Sequence, residues 1–587
     1  MTRASLASDT PKWVKELARQ YYAGRTAVFI LYGNVHDLVW YDKKAYPARD
    51  FYMSVLFRRR ELVLAYNPAI GLLYRDSATK DDFTRFCAPK APPDPTPSEL
   101  FPVVHNYFLR RLAEGRRLAF IIEHTELIIP NSHLSWTAHS TSERKALLYF
   151  LQWAQSPEFL RGDITILLLT ESLSELHQKL VSNPHMSAIR IPYPEAETRQ
   201  AFIQEHMKPP PSAPAPDPQK GLMFRLPPSL SSPLATNLPH ITTEQLTVAL
   251  GGLTLVQIDK LLAEVAKSDT PWTEGQLLER KKQLVEAHAA GLIEFMSTHL
   301  TLDAVAGHHA AKAYLRSIAA ALKAGHTAVI PMGFLITGPV GTGKTFLMRC
   351  FAGEIGMPMV QLKNFRSKWH GETEANLEKI LALLEALAPI AVFVDEADTQ
   401  LGTRESSSDH GVSARVFGRL ANFMSDPRHR GRILWFLATA RPDLLPVDLK
   451  RQGRAEEHIP LFPPTTPEEK KEVVRALAQR LNMGALKLPT SQKFWNDLPP
   501  FTGAEWEAIL TRARFHAIAE GRSTPEWKDV QAVLADFIPP SYPEQMEYMT
   551  YLAVLECTRR SLLPPMYQQL SRTEVLERIA ALGKRLR

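Results

Sequence analysis

A lysine and a threonine closing a glycine-punctuated loop form a phosphate-handling pair. This chain carries one at Gly338-Pro339-Val340-Gly341-Thr342-Gly343-Lys344-Thr345, which fits the pattern G-x-x-x-x-G-K-[ST]. Glycines let successive backbone N–H groups turn inward onto a polyphosphate. Lys344 is expected to reach the β- and γ-phosphates, and the Thr345 hydroxyl to ligate Mg²⁺. Further on, the apolar run Ile390–Val394 ends in Asp395 and Glu396. Beside a phosphate loop, Asp395 can hold the magnesium, directly or through water, while Glu396 polarises an attacking water. The chemistry written in these residue types is the binding and hydrolysis of a nucleoside triphosphate.

Such a loop works only between a buried strand and a helix that presents its positive N-terminal end to the anion. Phe334-Leu335-Ile336 reads as that strand, and Phe346-Leu347-Met348 as the start of that helix. Further strands are expected at Met359–Leu362, Ala391–Val394, Ile433–Ala438 and His458–Ile459. Their uniform apolarity argues a parallel sheet covered on both faces.

A chain of 587 residues has room for several domains, and 45% apolar with 22% charged residues is ordinary for a globular protein. The net charge of +7 is dispersed, which permits contact with nucleic acid without arguing for it. Cys87, Cys350 and Cys557 are far apart, so neither a disulfide framework nor a zinc site is indicated. The first residues lack an apolar signal core, and no run is long enough to span a membrane. A soluble, cytoplasmic protein without a membrane partner is expected.

The N-terminal part repeats the alternation of strands and helices, with strands at Ala27–Leu31, Glu61–Ala65, Leu118–Ile122, Ile164–Leu169 and Ala188–Ile191. Helices are read at 51–60, 243–266 and 274–295, and an irregular loop at Ala88–Pro102. The tract from Lys208 to Pro239 is too rich in proline for helix or central strand and reads as a linker.

Three motifs together, GPVGTGKT, VFVDEAD and LATARPDLLPVDLKRQGR, resemble the AAA ATPases, the group containing katanin, spastin, NSF and the FtsH protease. The resemblance implies ATP and Mg²⁺ as ligands and a homo-oligomeric ring, a hexamer in that family. It puts Arg451 and Arg454 on the arginine fingers that reach a neighbour's γ-phosphate. The segment Asp303-Ala304-Val305-Ala306-Gly307 stands where the family's backbone contacts adenine, chiefly at Val305, Ala306 and Gly307. Thr502-Gly503-Ala504-Glu505 resembles the lid-helix start, with Gly503 and Ala504 near the nucleotide, and Phe346 follows the phosphate loop. Ala440 replaces the family's sensor asparagine, where the Thr439 hydroxyl could substitute. Trp369 and His370 resemble the aromatic pore loop that grips an extended polypeptide, and Glu405–Gly411 would be a second pore loop.

The resemblance implies two P-loop-NTPase-like α/β/α modules with parallel sheets, each followed by a helical lid, and a helical C-terminal tail. The expected layout is a degenerate module over 1–207, a linker over 208–239 and a lid and connector over 240–300. An active core over 301–465, a lid over 466–540 and a tail over 541–587 complete it. In the first module Gly33-Asn34-Val35-His36-Asp37 stands at the phosphate-loop position without Lys-Thr, and Glu123-His124 echoes Asp395-Glu396. No clustered partners accompany His36 and His124, so a metal site is not expected. Remodelling or threading of a protein substrate is the leading expectation. A nucleic-acid motor or loader and a slowly turning nucleotide-switched scaffold remain open.

Overall fold

The computed structural model describes residues 9–24, 26–87, 96–131, 140–207, 237–238, 241–363, 370–401, 410–484, 486–538 and 543–586. The chain divides into two compact units, Met1–Ala289 with Ser367–Leu387, and Ala290–Arg366 with Ala388–Arg587.

The first unit contains β1 (Val28–Gly33), the hairpin β2 (Val39–Tyr41) and β3 (Lys44–Tyr46), β4 (Leu62–Asn67), β5 (Gly71–Tyr74), β6 (Leu118–Ile122), β7 (Ile164–Thr170) and β8 (Met186–Ile191). Its main sheet runs β5-β4-β6-β7-β1-β8, parallel except for β5 at the edge. Alternate residues build the core on each face. Val28, Ile30, Phe120 and Ile122 pack on one side, and Phe29, Leu31, Ala119 and Ile121 on the other. This is the two-residue period of a strand buried on both faces.

The second unit contains β9 (Ile293–Phe295), β10 (Gly333–Thr337), β11 (Met359–Leu362), β12 (Ile390–Val394), β13 (Ile433–Thr439) and β14 (Glu457–Pro460). Its sheet runs β14-β10-β13-β12-β11-β9, parallel except for β9. Numbering only the parallel strands of each unit along the chain, both sheets have the order 5-1-4-3-2, and each adds an antiparallel strand beside strand 2. Every residue of β10, β12 and β13 is buried, as their apolar runs require.

Helices Pro467–Arg480, Gln492–Asp497, Gly503–Ala519 and Trp527–Asp536 form a lid around Trp495 and Trp506. In the tail, helices Pro543–Glu556 and Arg572–Arg585 share a core with Phe462. Glu457 on β14 pairs with Arg559 at 2.7 Å.

Four expectations change. The helix expected over 274–295 stops at His288, because Ala290 and Gly291 turn left-handed (φ 50° and 74°) and the chain re-enters the sheet as β9. The helix expected over 243–266 is two, Thr243–Ala249 and Leu255–Ala266, parted at Gly252 (φ 85°) and restarted by the Thr254 cap. Within Ala88–Pro102, residues 88–95 lie outside the described residues, and Pro97 opens the helix Pro97–Ala113 behind a Thr96–Glu99 capping box. The helix expected over 51–60 is a π-helix, Phe51–Leu56. Trp369, residues 405–409 of the second pore loop, and residues 208–236 and 239 of the linker lie outside the described residues. His370 opens the helix His370–Leu387.

Candidate nucleotide site

β10 ends at Thr337, and the next six residues curl at the C-terminal edge of the sheet before the helix Lys344–Ala352 begins. Parallel α/β sheets bind ligands at this edge, where the strand order reverses. Gly338 has φ 145°, and a Cβ there would lie 2.2 Å from the Leu461 carbonyl oxygen. Gly341 has φ 82°, and its Cβ would lie 2.8 Å from Thr502 Oγ1. Both positions therefore require glycine. Val340 is exposed, while Pro339 and Thr342 are buried, with Thr342 Oγ1 donating to the Pro339 carbonyl at 2.9 Å. Gly343, with φ 84°, is the residue from which the helix starts.

Lys344 Nζ donates to the carbonyls of Gly338 and Pro339 at 2.7 and 2.9 Å. Burial pushes its ammonium down to about 8, against the nearby Asp395 and Asp398 carboxylates. Thr345 Oγ1 donates to Asp395 Oδ2 at 2.7 Å, so the hydroxyl on the loop helix and the carboxylate beyond β12 share one spot. A hydroxyl and a carboxylate are hard oxygen donors of the kind Mg²⁺ takes beside phosphates. Glu396 is exposed and left-handed at φ 45°, and its carbonyl accepts the N–H groups of Thr399 and Gln400. Thr439 Oγ1 donates to Asp398 Oδ1 at 2.6 Å and accepts the Arg441 N–H at 2.8 Å.

The expected adenine segment bridges core and lid. Val305 packs in the sheet core, Ala306 packs against the lid cluster, and Gly307 takes φ 67°. Lys312 Nζ donates to the Val305 carbonyl at 2.5 Å. His308 Nε2 meets the Thr342 carbonyl at 3.0 Å, and burial lowers the pKa of this imidazole. The lid closes from the other side. The Ala504 N–H points at the Gly341 carbonyl at 3.3 Å, with Gly503 alongside, and Arg480 lies over the Phe346 ring at 5.3 Å. His308, Lys312, Asp398 and Arg480 join the site through partners that are not their neighbours in sequence. Of these, only Asp398 carried a signal, as the last acid of the VFVDEAD tract.

The two arginines separate. Arg451 is exposed and pairs with Asp448 at 3.2 Å. Arg454 is 5% exposed, donates to the Asp448 carbonyl at 2.7 Å, and has a buried Nε without a hydrogen-bond partner.

The first unit places other side chains at the corresponding edge. Asp37, 6% exposed, accepts the N–H groups of Leu255 and Val256 at 2.9 Å each. It also accepts from Leu38 N–H and Asn34 Nδ2 at 2.8 Å, and burial raises its pKa. A side-chain carboxylate thus sits on the N-terminus of the helix Leu255–Ala266. Glu123 is clamped by Arg49 through two bonds of 2.6 Å and by Asn67 at 2.6 Å. His124 stacks on His36 with ring centroids 4.7 Å apart.

A phosphate loop after strand 1, an acid pair after strand 3 and a helical lid over the loop define a nucleotide-binding α/β protein of the phosphate-loop class. Comparison narrows the class. The chain belongs to the AAA ATPases: residues 334–462 match the ATPase family associated with various cellular activities, and residues 3–192 match the N-terminal Rossmann-like domain of AAA+ chaperones.

The uncharacterized AAA domain-containing protein ycf46 of Trieres chinensis is 28% identical over 305 residues, 50% of this chain and 60% of that protein. Protein SAV of Sulfolobus acidocaldarius is 33% identical over 190 residues, 32% of this chain and 24% of its own length. The ATP-dependent zinc metalloprotease FtsH 2 of Symbiobacterium thermophilum is 32% identical over 205 residues, 33% of either chain. Each alignment leaves two fifths or more of the relative unmatched. Among the described residues no helix is long and apolar enough to cross a membrane.

Proposed function

We propose that the second unit is a Mg²⁺-dependent ATPase working in a homo-oligomeric ring, a hexamer as the family resemblance implies, and that its cycle remodels or threads a protein substrate. The observation that carries the reading is the 2.7 Å bond from Thr345 to Asp395. It joins the two groups that would hold Mg²⁺, beside the amine that would meet the phosphates. One relative is named as ATP-dependent, which supports ATP as the nucleotide. Magnesium held there would offset phosphate charge.

The chain's own groups supply the rest. The loop N–H groups and Lys344 grip the β- and γ-phosphates, and Glu396 orients the water and takes its proton. Val305, Ala306 and Gly307 line the adenine, while Gly503 and Ala504 bring the lid helix to the loop. Arg451, exposed beyond β13, acts on the neighbouring protomer's phosphate, and the buried Arg454 holds the turn that presents it. Trp369 and His370 form the substrate-gripping pore loop.

The first unit, Met1–Ala289 with Ser367–Leu387, has the same strand order with Asp37 in place of an anion, and it works without nucleotide. Phosphate release in the presence of unfolded protein and of single-stranded DNA tests the substrate class. Stimulation by unfolded protein alone is expected, and stimulation by DNA alone would replace this reading with a nucleic-acid motor. A second reading, a nucleotide-switched scaffold with slow turnover, is favoured by one observation: the Thr439 hydroxyl beside Ala440 is already spent on Asp398.

A further inference from the structure

At the other end of the first unit's sheet, the residues just before β4, β6 and β7 surround a hollow of about 260 Å³. Val14, Leu17 and Ala18 from the helix Lys12–Tyr22 form its floor with Leu56 and Phe57. Its rim is cationic. Arg60 is bound inward, to Asp163, to Thr165 Oγ1 at 2.9 Å and over the Tyr21 ring at 5.0 Å. Arg117 lines the rim and shares the Glu61 carboxylate, at 3.3 Å, with its chain neighbour Arg116, at 2.6 Å. Arg58 and Arg59 are exposed at the mouth and, among the described residues, pair with no carboxylate. Arg58, Arg59, Arg60 and Arg117 thus line the hollow with one acid, Asp163, around an apolar floor.

We propose that this hollow is a peptide-docking site: it takes an apolar side chain from an extended segment whose neighbouring residues are acidic. Its size, below the ~300–1,000 Å³ of small-molecule sites, suits a side chain rather than a whole ligand. Apolar burial supplies the anchor, and the unpaired guanidinium groups select the charge and speed encounter. A nucleic acid would satisfy the arginines, but its polar-edged bases and sugars offer far less aliphatic surface to a floor of Val14, Leu17 and Leu56 than an apolar side chain does. The site lies away from Asp37 and His124 and does not depend on the ATPase reading.

Fluorescence anisotropy of the full chain without nucleotide tests it. The probe is a fluorescein-labelled peptide with a central phenylalanine flanked on both sides by glutamates. Saturable binding is expected. It should weaken about tenfold or more when the phenylalanine becomes serine, when lysines replace the glutamates, and in the double variant Arg58→Glu, Arg59→Glu. Ala18→Leu, which fills the floor without touching a charge, should weaken binding similarly while ATP hydrolysis is unchanged. Absence of peptide binding, equal affinity in the charge-reversed variant, or preference for mixed-sequence single-stranded DNA or phosphatidylserine vesicles would overturn the proposal.

Discussion

His124 and Glu396 hold the same place in two sheets of identical strand order. Each is the second residue beyond strand 3 of its unit, and each is left-handed, with φ 51° and 45°. A left-handed turn at a residue other than glycine costs on the order of 1–3 kcal/mol. It persists in both units, so the turn belongs to the sheet edge, and the side chain on it decides the chemistry. A carboxylate there can polarise water. The imidazole of His124 instead stacks on His36.

The first unit has a built-in anion. Asp37→Ala leaves the N–H groups of Leu255 and Val256 without their acceptor, which costs about 1–3 kcal/mol. Hydrogen exchange at the start of the helix Leu255–Ala266 should accelerate by about tenfold or more, with ATP hydrolysis retained. Unchanged protection there would mean that Asp37 does not hold the helix.

Nucleotide affinity should depend on pH through Lys344. Burial holds its ammonium near about 8 in the free site, and triphosphate charge raises it on binding, so binding near or above that pH takes up a proton. Affinity is then level below pH 8, where the free amine is already charged, and falls as pH rises through about 8. Titration calorimetry in buffers of different ionisation enthalpy reads the uptake directly. Flat affinity without proton uptake across that range would remove Lys344 from the phosphate contact.

Arg451 should act across a protomer boundary. Arg451→Ala is expected to lower turnover by about 10³–10⁵ with ATP affinity unchanged, and Glu396→Gln by about 10²–10⁴ with ATP retained. Mixing the two inactive variants should restore phosphate release, because intact Glu396 sites then sit beside intact Arg451 residues. A mixture as inactive as its parts would show that the guanidinium does not work in trans.

The parts of this site that were legible in the sequence are those where chemistry fixes residue type at short spacing. Gly338 to Thr345 is one such stretch, and Asp395-Glu396 at the end of a buried apolar run is another. The central strands could be read because burial on both faces leaves uninterrupted apolar runs. The edge strands β5 and β9 could not, since each is only three or four residues long and pairs on one side. Long-range partners leave no local trace. Asp37 reaches Leu255 across 218 positions, and His308 meets the Thr342 carbonyl across 34. Arg451 and Arg454 look alike in sequence, and only the turn around Asp448 exposes one and buries the other.

The most direct test of the central claim, that the second unit alone carries a working nucleotide site, is the stoichiometry of radiolabelled ATP bound to the full chain bearing Glu396→Gln, measured by equilibrium dialysis. A single nucleotide per chain is expected, with binding lost when Lys344→Ala is added. Two nucleotides per chain, or binding that survives the loss of Lys344, would contradict the account.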